Sequence, residues 1–289
     1  MRHKTARNRG EKNFQMNLVV AVIFTSLCPL MAVAQDGSVV VASWYQDEIA
    51  IAADSRGSGP HSYSDTSCKI AAFGNKLIFG AAGRSKPPDE STSFWDIYTA
   101  AFNHFVWITR EGATDHLAER VASAWGEDVK IKFELAGLSS IQGLDEDGIA
   151  SGIFADFEKD GTLLIVVTSV DFKESFVYPR ITVNTVPLHP GDGDAFFVGK
   201  GEVITETNAA KTPRGSEWFK ELHRRSDGPN TDRATEEAIA FVDLTIRNLP
   251  KMRTDFDGVP FSVVGPPISA VRLVRGKGTR WIAKGICQP

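Results

Sequence analysis

The sequence lacks the motifs on which several common kinds of protein chemistry depend. Its six histidines stand at no spacing that binds zinc. It contains no Walker phosphate-binding loop and no strand–GxGxxG–helix unit, and no GxSxG turn marks a Ser-His-Asp triad. We therefore expect neither a metal nor a cofactor.

A strong excess of charge of one sign is also missing. The 289 residues include 32 Lys and Arg against 36 Asp and Glu, a net charge of −4. Such a chain has no basic surface for nucleic acid, so we expect no nucleic-acid partner. Cysteines are few. Cys28 lies in an apolar N-terminal segment, which leaves Cys68 and Cys287 either as a disulfide pair in an oxidising compartment or as two separate thiols.

The first 34 residues have the pattern of an export signal. Five basic residues and one acid precede the apolar segment Leu18 to Ala34, which ends in the small-x-small sequence Ala32-Val33-Ala34. We expect cleavage after Ala34 and a secreted or periplasmic protein. The alternative is an uncleaved membrane anchor, because the apolar segment is barely long enough to cross a bilayer.

Residues 38–289 are predicted to form one domain, because their composition is that of a globular protein and no linker or repeat interrupts them. The first part combines short apolar runs typical of strands with two amphipathic helical patterns. The predicted strands are Ser38–Tyr45, Ile49–Ala53, Ile70–Phe73 and Leu77–Ala82. The predicted helices contain Phe94, Tyr98, Ala101 and Phe105 in the first, and Leu117, Val121, Ala124 and Trp125 in the second, with Thr114 or Asp115 as its cap.

From Ile131 the pattern favours strands again. Predicted strands here include the hairpin Ile149–Phe157 and Thr162–Ser169, then Phe176–Val186 and Ala195–Val198. Two helices, near Glu202–Ala210 and from about Thr235 to Asn248, precede a final strand–turn–strand. Consecutive apolar residues in the strands indicate sheets covered on both faces. The order β, α, β, α, β therefore predicts an α+β fold in which two stacked sheets lie between helices, an αββα sandwich.

Chemically capable residues stand at the ends of the early strands. Asp54 follows Ile49–Ala53, Lys69 precedes Ile70–Phe73, and Gly83 ends the run that begins at Leu77. A charge is rarely buried without a partner, so a carboxylate at the end of a buried hairpin suggests a role. Taken alone, Asp54 and Lys69 are also consistent with a structural ion pair at a sheet end.

The order of these residues resembles the N-terminal half of the catalytic subunits of the proteasome family, which are N-terminal-nucleophile (Ntn) hydrolases. The matching pieces are Gly37-Ser38, Ala52-Ala53-Asp54-Ser55-Arg56, Lys69-Ile70 and Ala82-Gly83. Ser38 lies sixteen residues before Asp54, as in the family, and Lys69 falls one residue early. The resemblance implies a four-layer αββα Ntn-hydrolase sandwich. It also implies self-cleavage between Gly37 and Ser38, which removes a short propeptide, residues 35–37.

The resemblance further implies the chemistry. Ser38 would be the nucleophile and its freed amine, with an ordinary pKa of about 7.7–8.0, would be the base. Lys69 would keep that amine neutral by like-charge repulsion, while Asp54 orients Lys69. The Gly83 N–H would donate to the oxyanion, and Arg56 would support the site. The expected substrate is a peptide or a small amide, and homo-oligomerisation stays open.

The sequence also departs from the family pattern. Lys200, in Gly199-Lys200-Gly201, stands where the family has a serine. Within Phe261–Pro266, Phe261 and Val264 stand where the family has an aspartate and a serine. Asp257 or Ser262 lies close enough in sequence to substitute. Two interpretations therefore stand: an exported, self-processing amidohydrolase or peptidase, and an inactive proteasome-like fold that serves as a binding or scaffold protein.

Overall fold

Two five-stranded antiparallel sheets, two small two-stranded sheets and three helices make up the part of the chain that a computed structural model describes, so this part is α+β. The described residues are 38–58, 63–84, 95–112, 115–135, 149–171, 179–188, 193–199, 232–248, 251, 253–283, 285 and 287. The predicted signal peptide, the propeptide and the helix near Glu202–Ala210 lie outside them.

The strands and helices of this part follow the chain in the order β, α, β, α, β. The strands are β1 Val39–Tyr45, β2 Glu48–Asp54, β3 Gly57–Ser58, β4 Tyr63–Ser64, β5 Ile70–Phe73, β6 Leu77–Gly83, β7 Ala150–Phe157, β8 Leu163–Asp171, β9 Arg180–Leu188, β10 Gly193–Gly199, β11 Arg253–Thr254, β12 Pro260–Phe261, β13 Ile268–Val274 and β14 Gly278–Ala283. The helices are α1 Ile97–Arg110, α2 Leu117–Leu135 and α3 Arg233–Asn248.

Each large sheet has five strands. The first has the order β10-β1-β2-β13-β14 and the second the order β5-β6-β7-β8-β9. Every pairing in them is antiparallel. The first sheet joins strands from both ends of the domain, since β2 lies between β1 and the late strand β13.

The two sheets pack against each other through one apolar layer. Side chains alternate along β1, so Val40 and Ala42 face the second sheet, whereas Val39 and Val41 face α3. The facing side of the second sheet contributes residues such as Ile78 to the same layer. Both faces of β1 are thus covered, which explains why its apolar residues are consecutive.

The outer face of the second sheet packs against α1 and α2. Phe79, Phe154 and Trp125 lie together in this core, and the Trp125 indole N–H donates to the Ile97 carbonyl at 2.8 Å. This indole has no access to solvent, so its polar group needs the partner. Tyr98, Phe105 and Trp125 therefore pack in or against a core, as predicted, whereas Phe102 and Trp107 of α1 are exposed.

The strand pattern predicted from Ile131 is wrong at its start, because α2 continues to Leu135. Val129 and Phe133, four residues apart, are both buried on the helix face that packs on the second sheet. Strand β9 begins at Arg180 and continues to Leu188, past the predicted end at Val186, while the predicted start at 176–178 lies outside the described residues.

The start of α2 is bound by carboxylates from another part of the chain instead of the predicted local cap. Asp156 of β7 accepts from the Ala118 N–H at 3.0 Å, and Glu158 accepts from the His116 N–H at 3.2 Å. Asp115 instead pairs with Lys159, and Thr114 lies outside the described residues. The helix N-terminus is therefore attached to the end of β7.

Asp156 is buried, with 3% of its surface exposed, and burial raises its pKa to about 7. The Ala118 N–H opposes that rise, whereas the nearby charge of Glu158 adds to it. A carboxyl group whose pKa is raised on folding holds its proton more tightly in the folded chain. Its stabilising contribution is therefore fully present below about pH 4 and is lost as the pH rises through about 7.

We expect Asp156→Asn to remove this loss, because the amide keeps an acceptor for Ala118 and cannot ionise. The free energy of unfolding of the variant should exceed that of the wild type at pH 8 by roughly 1–4 kcal/mol. Urea unfolding between pH 4 and pH 8 measures the difference. Asp160→Asn, an exposed change four residues away, is the control and should give no gain; equal pH profiles for wild type and Asp156→Asn would contradict the prediction.

Candidate functional site

The carboxylate of Asp54, at the end of β2, lies at the centre of the candidate site. Its Oδ1 accepts from the Val39 N–H at 2.9 Å and from Lys69 Nζ at 2.8 Å. Its Oδ2 accepts from the N–H groups of Arg56 at 3.1 Å and Gly265 at 3.2 Å. Asp54 is 1% exposed, so these four donors replace the water that an ionised carboxylate would otherwise bind.

The Lys69 side chain extends from the second sheet to the Asp54 carboxylate of the first sheet. Besides Asp54, its Nζ donates to the Arg56 carbonyl at 2.5 Å, and the residue is only 2% exposed. Its own carbonyl accepts from the Ala81 N–H of β6 at 3.0 Å. Lys69 therefore belongs to the second sheet through its backbone and contacts the first sheet through its ammonium group.

Ser38 lies at the entrance to β1 and is 2% exposed. The peptide N–H that follows it, that of Val39, shares Asp54 Oδ1 with Lys69 Nζ. The two nitrogens can be no farther apart than the sum of their distances to that oxygen. The structure thus brings together the start of β1, Asp54 and Lys69, while Gly37 lies outside the described residues.

Gly83 ends β6, two residues after Ala81, and its backbone has a φ of +110°. A side chain at this position would be strained by the backbone and would also lack space. An added Cβ would lie 2.5 Å from the Ile149 carbonyl oxygen and 2.7 Å from Ala150 Cα. The backbone here requires glycine, and the oxyanion role of its N–H stays a prediction.

Arg56 binds the surrounding loops with its side chain. The guanidinium makes two hydrogen bonds to Asp65, at 2.6 and 2.9 Å, and one to the Ser262 carbonyl at 3.1 Å. It also lies over the Tyr63 ring, 4.1 Å from its centre. Gly265 packs so closely that an added Cβ would be 2.4 Å from the guanidinium. Arg56 makes its hydrogen bonds to Asp54 and Lys69 with its backbone, through its N–H and its carbonyl respectively.

Sequence reasoning missed the contribution of Gly265, whose N–H binds Asp54. No periodic pattern marks this loop, and 211 residues separate the two partners. Ser262, one proposed substitute, lies in the same loop, where its hydroxyl accepts from the Val264 N–H at 3.4 Å. Asp257, the other, is exposed in the turn between β11 and β12.

The segment Gly199-Lys200-Gly201, in which Lys200 stands where the proteasome family has a serine, begins beside Ser38. Gly199, the last residue of β10, pairs with Val39. Lys200 and Gly201 lie outside the described residues. The first of the three residues that match the family segment is therefore next to the candidate site.

A disulfide joins Cys68 to Cys287, which decides between the two states that the sequence left open. Cys68 immediately precedes Lys69, and Cys287 is buried in the layer between the sheets. The bond closes a separation of 219 residues and attaches the segment of Lys69 to the end of the chain.

In the described residues, no group of three or more His, Cys, Asp or Glu is arranged to hold a metal ion. No helix among them is long and apolar enough to cross a membrane. Comparison of the sequence with models of known protein families finds no match, and comparison with curated proteins finds none either.

We expect Asp54→Asn to destabilise the fold strongly, because it leaves the buried Lys69 ammonium without its charged partner. Loss of one member of a buried pair costs about 3–5 kcal/mol in the free energy of unfolding. Denaturant unfolding at pH 7 measures it. The control is Asp243→Asn, which breaks a partly exposed pair with Arg247 and should cost about 1 kcal/mol or less; similar losses for both variants would show that Asp54 has no special role in stability.

We expect Gly83→Ala to destabilise by about 2 kcal/mol or more, from backbone strain and from contact with Ile149 and Ala150. Gly112→Ala is a matched control, because φ is +80° there and nothing lies within 4 Å of the added Cβ. Thermal unfolding of both variants separates strain from contact. The interpretation fails if Gly83→Ala is no more destabilising than Gly112→Ala.

Proposed function

We propose that this protein is an exported, self-processing Ntn amidohydrolase in which Ser38 attacks the carbonyl of a peptide or another amide. The observation that carries the proposal is the sharing of one oxygen, Asp54 Oδ1, between Lys69 Nζ and the Val39 N–H. A buried lysine and the residue after the expected nucleophile are thereby held at one carboxylate.

The architecture supports the same class. Helices α1 and α2 cover the second sheet, the two sheets share a core, and α3 covers the first sheet. This order of layers supports the four-layer αββα Ntn-hydrolase sandwich that the resemblance implies. Ser38 directly precedes a strand of the first sheet and Lys69 directly precedes a strand of the second, so the pair expected from the resemblance spans the two sheets.

Self-cleavage would proceed through an ester. Ser38 Oγ attacks the Gly37 carbonyl carbon, the Gly37–Ser38 amide bond breaks, and the acyl group moves to the oxygen as the nitrogen takes up a proton. Water then hydrolyses the ester, releases the preceding segment as a carboxylic acid and frees both the hydroxyl and the α-amine. Ser38 is buried while the chain is uncleaved, so removal of the preceding segment would have to open the site.

Turnover of a substrate would use the same atoms. The amine of Ser38 accepts the Oγ proton during attack and returns a proton to the leaving amine, and water hydrolyses the resulting ester. Lys69, oriented by Asp54, would favour the neutral amine through its positive charge. The N–H of Gly83 would stabilise the oxyanion, an interaction worth about 3–4 kcal/mol in other hydrolases.

A catalytically inactive binding or scaffold protein is the second candidate. It is favoured by Lys200 in place of the family's serine, and by Phe261 and Val264 at the positions where the family has a supporting aspartate and serine. The buried Asp54–Lys69 pair would then be a purely structural link between the sheets. The two candidates predict different first residues for the mature chain, because only the enzyme cuts before Ser38.

We expect the mature chain to begin at Ser38 and expect Ser38→Ala to leave the Gly37–Ser38 bond intact. Lys69→Ala should slow the cleavage by about 100-fold or more, because Lys69 would relay the proton that the departing Ser38 nitrogen takes up, and this is the usual contribution of a proton-transfer group. Intact-mass spectrometry of the purified full chain over time measures both effects.

The matched control for Ser38→Ala is Ser43→Ala, a buried serine within the strand that follows Ser38, which should still be processed. Circular dichroism checks that each variant is folded. A mature chain that begins at Gln35, with the Gly37–Ser38 bond stable in the wild type, would reject the enzyme and support the scaffold.

A further inference from the structure

We propose that the Cys68–Cys287 disulfide holds Lys69 in place, so that the site gains the ability to cleave itself only after the chain has been oxidised. The inference concerns the regulation of the candidate site and rests on the proposed function. Its structural half, the holding of Lys69, can be tested without any catalytic activity.

The segment that carries Lys69 is bonded to its own sheet on one side only, through the Lys69 carbonyl and the pairing of β5 with β6. It leads into β5, a four-residue strand at the edge of the second sheet that pairs with β6 alone. Cys68 is the residue next to Lys69, so a covalent bond at Cys68 restrains the lysine directly. Short edge strands are among the first parts of a fold to open.

The other end of the bond is firmly fixed. Cys287 is 2% exposed and packs in the layer between the sheets, where Ala53, Ile70 and Val271 also lie. Gly285, just before it, lies against Ser269 of β13, since an added Cβ would be 2.4 Å from the Ser269 hydroxyl. The disulfide therefore connects the edge of the second sheet to the body of the first.

Lys69 is the member of the ion pair that should move when the bond opens. Asp54 keeps three backbone donors, the N–H groups of Val39, Arg56 and Gly265. The Lys69 ammonium is buried and pays a desolvation cost that only a well-positioned partner offsets. Without the disulfide, outward movement of β5 hydrates the ammonium while the Asp54 carboxylate stays bound.

The redox step is ordinary thiol–disulfide exchange. A dithiol reductant breaks the Cys68–Cys287 bond, yields two protein thiols and becomes a cyclic disulfide, whereas oxidised glutathione forms the bond and leaves as two thiols. Thiols persist in the cytoplasm and disulfides form after export. In a chain that has not been exported, the disulfide would be absent and Lys69 would not be held in place. Its Gly37–Ser38 bond would therefore stay intact.

The first experiment measures the accessibility of Lys69. The full chain, oxidised or reduced with dithiothreitol, is treated with acetic anhydride, and acetylation of each lysine is followed by peptide mass spectrometry. We expect Lys69 to react about tenfold faster or more after reduction, because local opening exposes it. Lys159, whose side chain is 70% exposed, is the internal control and should react equally in both states.

Circular dichroism in both redox states checks that the fold persists. Equal Lys69 acetylation in the oxidised and reduced protein would overturn the proposal. So would a reduced protein in which all lysines become reactive together, because that pattern indicates global unfolding rather than release of one segment. Cys287→Ala provides a second test without reductant and should reproduce the selective rise at Lys69.

The second experiment measures self-cleavage. The full chain is purified in reduced form and then exposed to oxidised glutathione, and the Gly37–Ser38 bond is followed by intact mass. We expect cleavage to begin on oxidation and to be about 100-fold slower in Cys68→Ser and Cys287→Ala, since small displacements of catalytic groups have effects of this size. Cys28→Ser, outside the disulfide, is the matched control and should behave as the wild type.

The outcomes separate the two proposals. Equal cleavage in reduced and oxidised wild type overturns the redox control while the proposed function stands. Absence of cleavage in every sample, with the oxidised wild type folded, rejects the proposed function and with it the control of self-cleavage. In that case the acetylation experiment still decides whether the disulfide holds Lys69.

Discussion

The buried carboxylate of Asp54 is the constraint on which the arrangement of this end of the molecule depends. An ionised group away from water is costly unless hydrogen bonds surround it, and Asp54 has donors from four separate positions. Three are backbone groups at strand ends or in loops, and the fourth is the ammonium of Lys69. One charge thus fixes the start of β1, the end of β2, the loop before β13 and the edge of the other sheet.

This constraint works only because the two sheets approach closely. Gly80 in β6 has no side chain, and a Cβ there would lie 2.7 Å from a methyl of Val40 and 2.8 Å from one of Ile51. A larger residue would push the sheets apart near the site. Lys69 could then no longer reach Asp54 with the same geometry. The Asp54–Lys69 ion pair at the edge of the core therefore depends on the absence of a side chain at Gly80 within it.

Local patterns in the sequence predicted the early strands well, because their apolar runs are flanked by turns; Ile70–Phe73 agrees at both ends and Leu77–Ala82 at one. They failed at Ile131–Leu135, where apolar and charged residues alternate as in a strand, yet the burial of Phe133 selects the helix. Of the candidate site, the sequence indicated Ser38, Asp54 and Lys69. The Gly265 contact links distant segments, so no local pattern reports it, and the cysteine count offered the disulfide only as one of two states.

The charges around Asp54 bear on the proposed base. Cleavage before Ser38 would create an α-amine one residue from the Val39 nitrogen, which already shares Asp54 Oδ1 with the Lys69 ammonium. A second positive charge would lie near the first, and Asp54 has its four donors in place. Repulsion between the two cations would then favour the uncharged amine, the form that accepts a proton. By holding Lys69 in place, Asp54 would thus let the lysine charge favour the new terminus as a base.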